Sequence, residues 1–251
     1  MKNPLLDPNA RLVIAHRGNR VGAPENTVES LRQAVAQGAD AIEFDVRATK
    51  DGTPVVIHDA TMDRTTNVTG TVAELTFDQV RAADASARSP HATGAPMTVP
   101  ALSEVLERFR DTPMVIEVKE AGAVDSTERM IRRFGVESRV VIGSTSVEVI
   151  ERFYRSGLAT CASMLDAILL IPFALAGLTP PKPRYDLLSV TPTFHGIPIP
   201  VRRLTAAGRR MGMPTQVWTV NDPVTAKAYW AAGVAGIVTD DPAALVRARS
   251  R

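Results

Sequence analysis

The sequence predicts a TIM (β/α)8 barrel, an α/β fold in which each strand of a closed parallel ring is followed by a helix, with a small insertion after the second strand. Three observations predict it. Eight short β-branched runs alternate with eight longer amphipathic stretches, the order that builds a parallel sheet. The chain has 251 residues, a length at which such barrels commonly form one domain. Acids and histidines stand at the ends of several apolar runs, and the C-terminal ends of barrel strands are where this architecture keeps its chemistry.

Strands are expected at Leu12–Ala15, Ala41–Val46, Met114–Val118, Val140–Gly143, Ala159–Ser163, Leu187–Val190, Thr215–Thr219 and Gly236–Val238. Helices are expected around Thr27–Gln37, Leu102–Arg110, Asp125–Phe134, Val147–Ser156, Ile168–Ala176, Val201–Met211, Val224–Ala232 and Pro242–Arg249, several of them closed by a glycine. An open doubly wound sheet is the architectural alternative, but no Gly-x-Gly-x-x-Gly turn follows the first strand. After the second strand, Lys50-Asp51-Gly52-Thr53 reads as a hairpin turn into Pro54–His58. A long segment without a helix follows, including Ser86–Pro96, which is rich in Ser, Pro, Gly and Thr. Residues Asp59 to Pro100 are therefore expected to form an insertion over the barrel mouth, inside a single domain spanning 1–251.

Composition narrows the function classes. With 29 basic and 27 acidic residues the net charge is +2, which gives no reason to propose a nucleic-acid groove or a polybasic membrane patch. The one cysteine, Cys161, excludes an internal disulfide and is expected to be a small buried apolar residue. The first residues contain no apolar stretch long enough for a secretory signal, so cytoplasmic residence is the default expectation. The longest apolar run, Ala167 to Leu178, spans 12 residues and contains Pro172, well short of the roughly 20 that a membrane helix needs. It reads either as a helix packed on all sides or as an exposed rim beside the site, able to accept an acyl chain or to make a dimer contact.

The residues that carry chemistry lie in short clusters. Ile14-Ala15-His16-Arg17-Gly18 ends the first strand, Ile42-Glu43-Phe44-Asp45-Val46 forms the second, Val56-Ile57-His58-Asp59 follows the turn, and Val115-Ile116-Glu117-Val118-Lys119 forms the third. Period-two alternation aims Ile14 with His16, and Glu43 with Asp45, to one face each. Glu43, Asp45 and Glu117 would then crowd three carboxylates together, and like charges that close resist ionising unless a cation joins them. An all-oxygen ligand set favours Mg²⁺ or Ca²⁺ over zinc. The plain alternative is a buried salt-bridge network with Arg17, Arg47 and Lys119. His16 and His58 supply imidazoles, which can both accept and donate a proton during one turnover. Asn26 is a good N-cap for the first helix, and Glu25 would favour that helix's N-terminus. Trp218 reads equally as core or as a pocket wall, while His91 and His195 have no acidic partner nearby in the sequence and stay unassigned.

With Pro24-Glu25-Asn26-Thr27, Thr49-Lys50-Asp51-Gly52, Asp63-Arg64-Thr65-Thr66, Val99-Pro100-Ala101-Leu102-Ser103-Glu104 and Val217-Trp218-Thr219-Val220-Asn221 added, the sequence resembles the bacterial glycerophosphodiester phosphodiesterases over nearly its whole length. The stretch from about Thr160 to His195 carries no motif of that family. The resemblance implies metal-dependent hydrolysis of a glycerophosphodiester to sn-glycerol 3-phosphate and an alcohol. It implies a general acid/base pair in His16 and His58, and a place for Glu25 in the site region. A bound divalent ion would take one phosphate oxygen, and Arg17 and Lys119 would hold the others. The first attack could come from water or from the glycerol 2-hydroxyl. Alternatives are a phospholipase D-type activity on lysophospholipids and a catalytically silent barrel used as a binding module. A phosphosugar isomerase on a similar barrel is disfavoured, because Thr239-Asp240-Asp241 ends the last strand in acids that would repel phosphate.

Overall fold

The computed structural model describes residues 3–92, 94–179 and 183–250. A 3₁₀ turn at Pro4–Leu6 leads into β1 (Leu12–His16), α1 (Val28–Ala36), β2 (Ala41–Ala48) and β3 (Pro54–Val56). Next come α2 (Phe77–Arg81), α3 (Leu102–Arg108), β4 (Met114–Val118), α4 (Val124–Phe134), β5 (Val140–Gly143), α5 (Val147–Ser156) and α6 (Met164–Ala176). The remainder runs β6 (Leu188–Val190), β7 (Thr193–Phe194), β8 (Ile197–Pro198), α7 (Val201–Arg210), β9 (Thr215–Val217), α8 (Pro223–Ala231), β10 (Gly236–Thr239) and α9 (Pro242–Arg249).

The main sheet has the order β5-β4-β2-β1-β10-β9-β6, with every neighbour in that path parallel. β3 lies antiparallel on the end of β2, as the turn at Lys50–Thr53 requires. Between β5 and β6 the ring is bridged by the segment expected as a fifth strand, Ala159–Ser163, and here the expectation needs correction. Only single parallel bridges form, Thr160 with Ile142 and Cys161 with Leu187. The Cys161 N–H donates to the Ile142 carbonyl at 2.8 Å and the Ala162 N–H to the Leu187 carbonyl at 2.7 Å. No ladder has room to grow, because Gly157 has just ended α5 and Ser163 already caps α6, its hydroxyl accepting from the Asp166 N–H. That cap also starts α6 four residues ahead of the expected Ile168.

Strand alternation sorts the core. Ile14, Ala41, Val115, Val141, Cys161, Leu187 and Val238 form an apolar layer with Leu5 of the entry turn packed in it. Val13, Phe44, Ile116 and their alternates face the helices instead. The expectation that the segment 59–100 passes without a helix needs correction. It contains a 3₁₀ turn at Val72–Glu74, α2 with a Thr76–Gln79 capping box, and a small core of Met62, Val72, Val80, Ala83 and Val99 on Val55 and Ile57. The hairpin makes this possible: Val56 packs into the barrel's helix layer while its neighbours Val55 and Ile57 face the insertion. Among the described residues no helix is long and apolar enough to cross a membrane.

Gly18 sets how closely α1 approaches the end of β1. Its φ is 86°, and a Cβ there would lie 2.5 Å from the Ser30 carbonyl carbon and 2.7 Å from the Leu31 nitrogen. Left-handed strain and backbone overlap act together, so Gly18→Ala is expected to lower unfolding stability by roughly 2–5 kcal/mol. Urea denaturation measures it, and a loss under about 1 kcal/mol would show that the loop relaxes freely.

Candidate active site

At the C-terminal end of the barrel the inward positions change from apolar to charged. On β1, His16 follows Ile14; on β2, Glu43 and Asp45 follow Ala41; on β4, Glu117 follows Val115. The register then decides which groups meet. His16 pairs with Glu43 and Asp45 pairs with Glu117, so residues far apart in sequence stand side by side. Glu43, Asp45 and Glu117 offer carboxylate oxygens within 4.8 Å of one another.

Burial makes this crowding costly. Asp45 is fully inaccessible and Glu43 nearly so. Desolvation first, then the nearby Asp45 and Glu117 charges, push Glu43 well above the usual carboxylate range. Asp45 moves the other way: burial opposes its charge, but the Lys119 ammonium and Arg17 guanidinium outweigh burial and hold it low. Lys119 Nζ lies 2.8 Å from Asp45 Oδ1 and 2.7 Å from Glu117 Oε1, and Arg17 Nε lies 3.0 Å from Asp45 Oδ2. An acidic group of this kind could hold a metal ion. Its donors are all oxygen, and a cation would relieve the repulsion that Glu43 feels.

The turn from β1 to α1 holds Arg17 in place. Arg17 has φ 55° and its N–H donates to the Glu43 carbonyl at 2.8 Å. Asn26 is not the N-cap expected of it. Thr27 caps α1, while Asn26, at φ 58°, donates from its amide to Asp45 Oδ2 at 2.8 Å.

Both histidines are held through Nδ1. His16 meets Asp240 Oδ1 at 2.7 Å and His58 meets Asp59 Oδ1 at 2.6 Å. Asp240 in turn accepts from Arg20 at 2.7 Å and from the Asn221 amide at 2.9 Å. Arg64 in the insertion clamps Asp59 at 2.6 Å and Glu25 at 2.7 Å, and Glu25 also pairs with Arg17 and Arg20. Glu25 is thus bound to arginines and is not one of the grouped carboxylates. The chain of contacts runs His16, Asp240, Arg20, Glu25, Arg64, Asp59, His58. None of Asp240, Arg20, Arg64 and Asp59 was singled out from the sequence for a role, although His58-Asp59 is a visible dipeptide. Asp240 could have been found by noting that the last strand of a closed barrel lies beside the first.

A cavity of about 500 Å³ opens over these groups. His16, Arg17, Glu43, His58, Glu117 and Lys119 line it together with the apolar Ile168, Ile171, Phe194, Ile199 and Trp218. Trp218 is therefore a pocket wall, partly exposed. Gln216, missed in the sequence, is buried in the lining, and among the described residues its amide nitrogen and oxygen have no partner. Cys161 is buried as expected, and burial pushes its thiol up. His91 lines a separate cavity between the β1–α1 turn and the insertion.

The sequence pattern of the Glycerophosphoryl diester phosphodiesterase family matches residues 16–244. The chain belongs to this family. It is 33% identical over 245 residues to a glycerophosphodiester phosphodiesterase of Caldanaerobacter subterraneus subsp. tengcongensis, covering 94% of this chain and 96% of that protein. A Bacillus altitudinis glycerophosphodiester phosphodiesterase is 32% identical over 248 residues, with 94% and 97% covered. The crystal structure of the glycerophosphodiester phosphodiesterase from Agrobacterium tumefaciens str. C58 matches all of both chains, with a TM-score of 0.79 and 26% identity. Like these family members, the chain is a phosphoric diester hydrolase, and its barrel is the family's.

The arginine lattice has a pH signature. Burial alone would raise the Glu25 pKa, but Arg64, Arg17 and Arg20 bring it down to about 2 from 4.5. A depressed carboxylate stabilises the fold above its unfolded pKa and loses that contribution as pH falls through the folded one, here between 4.5 and 2. Glu25→Gln is expected to lose about 2 kcal/mol at pH 7, below the full shift because Arg64 is about half exposed. Melting curves of both proteins should converge as pH drops from 4.5 towards 2, and a gap constant with pH would show that the charge on Glu25 contributes nothing.

Proposed function

We propose that the chain hydrolyses glycerophosphodiesters to sn-glycerol 3-phosphate and an alcohol in this cavity. Glu43, Asp45 and Glu117 would hold a divalent cation, Mg²⁺ or Ca²⁺, and His16 and His58 would act as the acid/base pair. The observation that carries the reading is the group of three carboxylates, two of them buried, with Glu43 driven up by burial and by its acidic neighbours, beside two histidines whose Nδ1 atoms are already bound to acids. Those three carboxylates would hold the cation, and the chemistry it would supply is Lewis-acid polarisation of one phosphate oxygen, lowering the cost of charge building on phosphorus.

The chain's own groups do the rest. Arg17 offers its guanidinium, and Lys119 a point charge, to the remaining phosphate oxygens. Each histidine, with Nδ1 held by its acid, presents Nε2 to the substrate. Burial lowers the His58 pKa despite the opposing Asp45 charge, which keeps the ring neutral near pH 7 and suits it to accept a proton. His16, paired with Asp240, returns a proton to the departing alcohol oxygen as the phosphorus–oxygen bond breaks. The net change is one P–O bond formed to the oxygen of water and one broken to the alcohol. Gln216 and Trp218 meet the organic part of the substrate. The insertion at 59–100 serves the barrel as part of one domain, carrying Arg64 and Asp59 to the mouth.

EDTA treatment is expected to abolish turnover of glycerophosphocholine, with recovery on adding Mg²⁺ or Ca²⁺. Glu43→Gln, Asp45→Asn and Glu117→Gln should each lower kcat/KM at least about a hundredfold. Full activity after thorough chelation would remove the cation from the reading.

His16→Ala and His58→Ala should each cost roughly 10²–10⁴ in kcat, with the double variant little worse. Because the His58 pKa is lowered, kcat/KM should climb with rising pH through a midpoint below its ordinary 6.5, and that limb should vanish in His58→Ala. A limb unchanged in both variants would assign the proton transfer elsewhere.

A further inference from the structure

An outer-ring helix of a barrel normally shows water a polar face. α6 does not. Leu170 and Ala174 are buried against the barrel, but Leu165, Ile168, Leu169, Leu175 and the following Leu178 are between 48 and 59% exposed. Ile197, at the tip of the β7–β8 hairpin, and Trp218 are exposed as well. Ile168 and Trp218 also line the catalytic cavity, so the apolar surface is continuous with the mouth of the site. Soluble surfaces seldom show so many large aliphatic side chains together unless something covers them.

Charge identifies the cover. The balance of the whole chain hides a local excess: Ser163 to Gly212 contains six basic residues and two acidic ones. Although Arg184 pairs with Glu151 and Arg209 donates to Pro8 and Asn9, Arg202, Arg203 and Arg210 stand at the patch. Both acids are engaged internally, Asp166 in the α6 cap and Asp186 accepting the Thr160 N–H. Arg203 donates to the Leu175 carbonyl and Arg210 to the Leu178 carbonyl, each at 3.1 Å, which fixes their cationic groups at the end of the leucine face. Arg202 is exposed beside them, and among the described residues no carboxylate pairs with Arg202, Arg203 or Arg210. Aliphatic side chains edged by unpaired arginines match an anionic lipid layer, whose acyl region takes the leucines and whose phosphates take the guanidiniums. A second copy fits worse, because a two-fold contact through this face would set arginine against arginine.

We propose that the outer face of α6, with Ile197 and Trp218, docks the enzyme on an anionic phospholipid surface and turns the cavity mouth towards it. Combined with the phosphodiesterase reading above, this directs the site to glycerophosphodiesters that bear an acyl chain and reside in the lipid layer.

Sedimentation with sucrose-loaded vesicles tests the docking without any turnover. The full chain should sediment with vesicles of phosphatidylcholine containing about one third phosphatidylglycerol, and far less with phosphatidylcholine alone. Binding should weaken at least about fivefold in Leu165→Ser/Leu169→Ser, and by a similar factor in Arg202→Glu. Both variants should keep wild-type turnover of water-soluble glycerophosphocholine, which also shows that they fold. No sedimentation, equal sedimentation with both vesicle types, or a dimer in analytical ultracentrifugation that the leucine variant dissolves would each overturn the proposal. Failure of the wild-type protein to cleave glycerophosphocholine would instead sink the phosphodiesterase reading, leaving sedimentation to judge docking by itself.

Discussion

Asp45 is the point on which the site turns. A carboxylate with no water contact persists only where cations and donors surround it, and breaking one such pair strands the other charge. Here Lys119, Arg17 and Asn26 converge on its two oxygens. Each partner carries a demand of its own. Lys119 must follow β4 in the register that sets Glu117 opposite Asp45. Arg17 and Asn26 must both take left-handed backbone, which costs a side-chain-bearing residue free energy and is held by the turn around Gly18. The β1–α1 turn and the β2–β4 register are therefore parts of one electrostatic solution.

That solution extends outward. Glu25 stabilises Arg17 from behind, and Arg64 ties Glu25 to Asp59, so the insertion is joined to the barrel mouth by ion pairs as well as by its small apolar core. The same contacts orient both imidazoles. A histidine held at Nδ1 by a carboxylate has its tautomer and ring plane chosen before substrate arrives. Exposed ion pairs contribute little singly, but a network anchored on buried members such as Asp45 loses more when one is removed.

Much of this was legible in the sequence, and the reason is periodicity. Alternation in Ile42–Val46 put Glu43 and Asp45 on one face, and the same rule placed His16 after Ile14 and Glu117 after Val115. What escaped depended on closure. Asp240 looked like an acid that would repel phosphate, because its partner His16 lies 224 residues away and becomes its neighbour only when β10 pairs with β1. Asn26 looked like a cap because local chemistry favours that role, and a tertiary bond to Asp45 overrode it. Ala159–Ser163 had strand composition, but a helix cap at one end and a helix stop at the other left it only isolated bridges. Pairing of distant strands is invisible to local pattern, and residues whose roles depend on it are those the sequence misjudged.

The barrel has two unequal halves, and the inequality follows from how each is stabilised. Around β1, β2 and β4 the charged groups are joined in one network of ion pairs, so a change at one position disturbs several contacts. Around α6, β6 and β9 the cavity wall is side-chain packing, which tolerates exchange of one apolar residue for another at modest cost. The stretch from Thr160 to His195, without the family's motifs, falls in this second half. In the proposed reaction a phosphodiester presents the same charge whatever alcohol it carries, so the matched half would have little latitude to vary. Discrimination among alcohols in that reaction would fall to the packed half, where Gln216, whose amide has no partner among the described residues, stands at the wall and α6 carries apolar surface from the cavity to the outside of the protein.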